Sequence, residues 1–421
     1  MDTNLTEIDE GAGYIGYQEA FNLVGTNVKK VGIEEMPLAL CTGRVAAEDL
    51  VALVSYPSVD VSLKDGFAVR SQDVANASRQ HPAHLRVAGA AFAGSGFGGE
   101  VTPGSAVKVC SGAPVPQGSD AIVSGEFCEE VSRQEVFIRA NAETGRNVLR
   151  AGAEVQAGTT ITRKNEVLLP GRLGLAAAAG INFVRVYRRP RVAVIGIGDE
   201  VVAPGGHLHP GQLYASNLVT MVAWLTSFGI SCDTSVVRDN KSAIKRALVN
   251  HLPNADAILT SGGAWSSEHD LVVKVLNELG WQEIFHHIRM GPGKGIAFGL
   301  WSGKPVFCLP GGPASNEMAF LQLALPGLLR VGGESRHPLP TVSARLTETV
   351  SGRNRAWTEF KDATLTHDAE GNHVVRLYRS RSRLQAIAHA NCLICIPEGT
   401  DSLDLGDIIS VQMLVPRLDN I

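Results

Sequence analysis

Three glycine-rich turns carry the chemistry in this sequence: Ser261-Gly262-Gly263-Ala264-Trp265-Ser266-Ser267-Glu268-His269-Asp270, Gly291-Pro292-Gly293-Lys294-Gly295 and Leu309-Pro310-Gly311-Gly312-Pro313-Ala314-Ser315. Glycine lets backbone N–H groups approach a ligand unobstructed, and a lysine stands among them. That combination suits an anion, a phosphate or an oxyanion. Each turn follows a short apolar run that reads as a strand: Ala257-Ile258-Leu259, Phe285 to Ile288, and Val306-Phe307-Cys308-Leu309. Strands of one open sheet would gather the turns at one edge, where such sheets bind ligands.

The flanking sequence supplies that sheet. Strand-like runs at Val192 to Ile197, Ile230 to Val237, Ala255 to Thr260 and Val306 to Leu309 alternate with helical patterns, one capped by Ser216 and running to Phe228 and others at Lys241 to Leu252, Asp270 to Leu279 and Ala314 to Leu329. Such alternation predicts a doubly wound parallel sheet over residues 189–333. Upstream, residues 1–188 hold a first helix at 17–28, a strand-and-turn region at about 60–147 that reads as a β-rich insertion, and an alanine-rich helix opened by Pro170 and ended by Gly180. Residues 338–421 lose the helical period and predict a small C-terminal β-barrel. The fold class is therefore α/β and β multidomain.

Composition excludes several function classes. At 421 residues the chain has room for about three domains of roughly 100–200 residues each. A formal net charge of -4 leaves no nucleic-acid footprint, and no run of about 18 apolar residues suggests a membrane span. The expectation is a cytoplasmic protein with reduced thiols, since seven scattered cysteines form no disulfide framework. Cys392 and Cys395 have metal or redox spacing but stand alone in a strand-like run, and the pairs His207 with His209 and His286 with His287 lack partners at ligand spacing. Gly196-Ile197-Gly198 follows a strand as a dinucleotide motif would, yet Val201 stands where the third glycine is required.

Six collinear segments resemble the molybdopterin molybdenumtransferase family, bacterial MoeA and the E domain of gephyrin. They are Ser62-Leu63-Lys64-Asp65-Gly66-Phe67-Ala68, Gly112 to Ala121 followed by Glu126, Ile197-Gly198-Asp199-Glu200-Val201, Ser261 to Asp270, Gly291 to Lys294, and Leu309 to Pro313. The resemblance spans nearly the whole chain. It implies insertion of molybdate, or tungstate, into adenylyl-molybdopterin with release of AMP, and a homodimer whose cleft combines the sheet domain of one subunit with the β-rich insertion of the other. Recipient molybdoenzymes are the further partners it implies. By family position the acidic candidates are Asp65, Glu200 and Asp270, the last as the ligand of Mg2+, and Lys294 is the cation. Ser111, Ser261, Gly262, Gly263, Pro310 and Pro313 fall at substrate-binding positions, and Arg353, Arg355, Ser380 and Ser382 fall where the family's C-terminal domain holds molybdate. Asp270 has a structural alternative as the cap of the helix that follows, and Asp199 or Glu200 as the stabiliser of a helix N-terminus.

The chain also departs from the family pattern. Lys64 and Phe67 replace methionine and tyrosine; Ala215, Gly291 and Gly312 replace an aspartate, a lysine and an asparagine. These losses leave a second reading open: a catalytically degenerate member that binds or delivers the pterin cofactor or acts as a scaffold.

Overall fold

The computed structural model describes residues 13–262, 271–335 and 337–414. The chain forms two compact units: Glu34–Val186, and the segment up to Ile33 together with Tyr187–Ile421. The helix Tyr17–Asn27 thus groups with the downstream region, because Ala20 and Val24 enter the same apolar core as Val194, Phe307 and Leu328.

Within this larger unit six strands form one sheet: β1 (Arg191–Ile197), β2 (Ser231–Val237), β3 (Ala257–Ser261), β4 (Gln282–His286), β5 (Ala297–Trp301) and β6 (Lys304–Leu309), in the order β2-β1-β3-β6-β5-β4. β2, β1, β3 and β6 are mutually parallel, whereas β5 runs antiparallel to both β6 and β4. β3 is buried at every residue, as expected of a parallel strand covered on both faces. Two apolar cores supply that cover. One joins Val194, Leu259 and Phe307 to helices α1 (Ser216–Ser227) and α4 (Pro313–Ala319); the other joins Ile195, Ile258 and Val306 to α2 (Lys241–His251) and α3 (Leu271–Glu278).

Local details differ from the sequence reading for physical reasons. Ser216 is the first residue of α1 and not its cap; Ala215 holds the cap position without a side-chain bond. The apolar run Phe285 to Ile288 is not one strand. His287 adopts φ 65, so the chain turns there out of β4 and pairs Ile288–Gly291 with Thr358 and Glu359 of another sheet. α4 continues through a π-helical turn, Phe320–Ala324, into Leu325–Val331. Pro326 has no N–H for the carbonyl of residue 322 and its ring crowds that turn, which widens the helix.

The C-terminal strands Thr358–His367, His373–Leu377, Thr341–Leu346, Ile408–Met413 and Cys392–Ile396 pair in that order, and the last pairs back with the first to close a five-stranded barrel. Its core includes Leu346, Leu365, Cys392, Ile394 and Val411. A helix interrupts it at Arg383–His389.

The Glu34–Val186 unit is β-rich. Ala121–Ser124, Gly66–Val69, Ser105–Val109, Ala83–Ala91, Glu135–Ile138 and Cys128–Ser132 form a six-stranded sheet in that order. A separate core around Leu38, Leu168 and Val184 packs the helix Pro170–Ala178. No helix among the described residues is long and apolar enough to cross a membrane.

Candidate functional site

At the carboxyl ends of β1, β3 and β6 lies a cavity of about 510 Å³. Glu200, Asn217, Asp239, Ser261, Gly262 and Pro313 line it. Gly262 has φ +92, and a Cβ there would stand 2.3 Å from the carbonyl oxygen of Ile197. Glycine is therefore required for β3 to end so close to β1.

Two amides organise this edge. Asn217 Nδ2 donates to the carbonyl of Gly311 at 2.8 Å and to Ser261 Oγ at 3.3 Å. Asn316 Nδ2, almost wholly buried, donates to Ser261 Oγ and to the carbonyl of Pro310, both at 2.9 Å. Ser261 Oγ thus accepts twice and keeps its O–H proton for a ligand. Pro310 is buried behind the turn and acts through its backbone.

Opposite this donor stand acids. The Asp239 N–H donates to Asp199 Oδ1 at 3.3 Å, while Asp239 Oδ1 is shielded from solvent with no hydrogen-bond partner. Burial raises the Asp239 carboxyl above the ordinary range, and repulsion from Asp199 and Glu200 adds to it. Such a group is relieved by a cation. Among the described residues no three metal-ligating side chains form a ready cage. Gly263 and Asp270 lie outside the described residues.

A second cavity of about 700 Å³ adjoins the other side of the Gly311–Ser315 turn, lined by Lys294, Ser315, Arg353, Trp357, Ser380 and Ser382 among others. Gly293, at φ +116, lets the lysine turn pack on α4: a Cβ would meet Met290 Cε at 2.5 Å and the Ala319 nitrogen at 3.3 Å. Lys294 Nζ lies 5.9 Å from the Trp357 ring centroid. Glu359 Oε2 pairs with Lys361 at 2.6 Å, and its Oε1 accepts from the backbone N–H groups of Arg353 and Asn354. Burial pushes the Glu359 carboxyl up, but those bonds outweigh it and hold it below the ordinary glutamate value. Glu359 thereby fixes the turn that presents Arg353. Ser382 Oγ caps the helix Arg383–His389 by accepting from the Gln385 N–H, and Ser380 Oγ accepts from the Ser382 N–H. Arg355, by contrast, pairs with Asp401 at 2.8 Å.

In the Glu34–Val186 unit, Asp65 Oδ1 accepts from the Ser111 N–H at 2.8 Å, and Ser111 Oγ donates to the Leu63 carbonyl at 3.3 Å. Asp65 also borders a cavity of about 250 Å³.

The thiols and histidines set aside in the sequence have structural surroundings. Cys392 and Cys395 lie on a barrel strand, and burial pushes their thiols to about 12 and about 11. His207 and His209 contact each other with ring centroids 5.0 Å apart. Sequence reasoning missed Asp239, Asn316, Trp357 and Glu359. An acid just past the end of β2 was a usable signal for Asp239; the others depend on which chain segments meet.

Residues 15–180 match the family described as "MoeA N-terminal region (domain I and II)", and residues 193–330 match "Probable molybdopterin binding domain". The chain is similar to molybdopterin molybdenumtransferase 2 of Mycobacterium tuberculosis, with 33% identity covering 89% of this chain and 94% of that protein. Similarity to the molybdopterin molybdenumtransferase of Haemophilus influenzae is 28%, over 90% and 93% of the two chains. Among solved structures, a molybdopterin biosynthesis MoeA protein from Pyrococcus horikosii superposes with a TM-score of 0.79 at 32% identity, covering 96% of this chain and all of that one (100%).

Proposed function

The chain belongs to the molybdopterin molybdenumtransferase family, a transferase family of molybdenum cofactor biosynthesis, and on that premise we propose that it inserts molybdate into adenylyl-molybdopterin with release of AMP. The observation that carries this reading is the pair of cavities on either side of the Gly311–Ser315 turn, one bordered by the carboxylates of Glu200 and Asp239 and the other lined by several lysines and arginines. Adenylyl-molybdopterin occupies the first. Ser261 donates its remaining proton to a phosphoryl oxygen, and the backbone of Gly262 lies open to the same group, with Gly263 assigned to it by family position alone. The oxyanion, molybdate or tungstate, occupies the second, against Lys294 and Arg353, with Ser380 and Ser382 shaping the wall. Pro310 and Pro313 hold the turn between them.

The acids fit a divalent cation: the unpartnered Asp239 Oδ1, with Glu200 beside it and, by family position, Asp270 at the end of the first glycine turn, would hold Mg2+. When bound, the ion neutralises charge on the pyrophosphate link. Asp65 and Ser111 form a further acid and hydroxyl pair within the Glu34–Val186 unit. Exposed apolar side chains on that unit, Leu40, Leu53, Val54 and Phe183, support a homodimer; the cytoplasm is the compartment we propose for it.

Purified chain incubated with adenylyl-molybdopterin, Mg2+ and molybdate or tungstate should release AMP only when oxyanion is present. Glu200→Gln and Lys294→Ala should each lower that release by about 10²-fold or more. Tight pterin binding with no AMP in either reaction would overturn the reading in favour of a carrier or scaffold.

A further inference from the structure

The second cavity holds more cations than the proposed site uses, and they are not equivalent. Lys361 is committed to Glu359 and Arg379 to Glu348. Arg383 also lines the cavity, but no hydrogen bond or ion pair engages its guanidinium among the described residues. It is the first residue of the helix Arg383–His389, and the residue after it, Leu384, lines the first cavity.

The guanidinium is held over a bare piece of backbone. Its Nη1 stands 3.9 Å from where a Cβ on Gly312 would be, an ordinary contact distance. Alanine would fit there; any longer side chain would grow into the space the guanidinium takes. Gly312 caps α4, so Arg383 reaches the base of the turn separating the two cavities. An uncommitted planar fork facing a polar cavity beside Ser315 is suited to a tetrahedral oxyanion, which takes two parallel N–H donors.

We propose that Arg383 is an oxyanion-binding residue of this chain, that it acts with Arg353 across the second cavity, and that glycine at 312 is what gives it access. The identity of the oxyanion, molybdate or tungstate, rests on the transferase reading; the binding role does not.

The test is calorimetric titration of the full chain with sodium molybdate and, separately, sodium tungstate, without pterin. Arg383→Gln should weaken binding at least tenfold and Arg383→Lys less, while Gly312→Asn should reproduce the glutamine variant by displacing an intact arginine. Arg381→Gln, a neighbouring exposed arginine outside the cavity lining, serves as the charge control and should bind as wild type. In turnover, Arg383→Gln should raise KM for the oxyanion and leave KM for adenylyl-molybdopterin unchanged. Equal affinity of wild type and Arg383→Gln, equal loss in the Arg381 control, or no oxyanion binding by wild type would each overturn the proposal. Oxyanion binding that depends on Arg383 in a chain that releases no AMP would support it and sink the transferase reading alone.

Discussion

Asn316 does two tasks with one amide, since its Nδ2 holds both the Ser261 hydroxyl and the Pro310 carbonyl in a site closed to water. Replacing it with alanine strands a buried carbonyl, which costs about 1–3 kcal/mol in stability. Urea denaturation of Asn316→Ala should read that loss. Gly262→Ala should be worse than an ordinary glycine substitution, because φ +92 and a 2.3 Å approach to the Ile197 carbonyl both oppose a Cβ. The expected result is a destabilised chain whose first cavity no longer binds the pterin, checked by thermal denaturation and by equilibrium binding.

At the scale of elements, α4 carries an acid where helices normally bury apolar groups. Glu317 is 8% exposed and accepts from Trp224 Nε1 of α1 at 3.4 Å. Burial pushes its carboxyl up to about 7, with repulsion from Asp362 adding to the rise and the Trp224 bond opposing it. The folded chain therefore keeps this proton over a range in which the unfolded chain has lost it. Its contribution to stability is complete below the ordinary value of 4.5 and declines as pH rises to about 7, above which it is flat. Glu317→Gln keeps the acceptor and removes the ionisation. It should stabilise the chain by up to about 3 kcal/mol at pH 8 and leave it nearly unchanged at pH 4.5. Denaturation at the two pH values checks this, and equal shifts at both would refute the burial argument. The cap of α2 is a smaller case: Asn240 Oδ1 accepts from the Ala243 N–H at 2.9 Å, and Asn240→Ala should cost about 1 kcal/mol.

At the scale of the molecule, the Glu34–Val186 unit has apolar cores of its own. The clusters around Phe67, Ile122 and Leu168 draw only on residues between Glu34 and Val186. A fragment spanning Glu34–Val186 should therefore fold cooperatively when expressed alone. Within it, Ile122→Ala removes a wholly buried side chain and should cost about 2–5 kcal/mol, measured by chemical denaturation of the fragment.

What the sequence by itself determined is local. The continuous apolar runs of β1 and β3 demand cover on both faces, so a sheet flanked by helices was legible, as were the three glycine turns and the barrel-forming C-terminal strands. Acids and serines could be singled out by type and spacing. Tertiary structure decided the rest, because it depends on contacts far apart in sequence. β5 had no distinct period, and its antiparallel place is set by pairing with β6. The run at Phe285 to Ile288 was divided between two sheets by the positive φ at His287, and the first helix was claimed by a core formed nearly two hundred residues downstream. Asn316 became a site residue only when α4 brought it to Ser261, and Arg383 only when the helix Arg383–His389 placed it beside Gly312. Residue type announces what chemistry is available; packing of distant segments selects which groups meet.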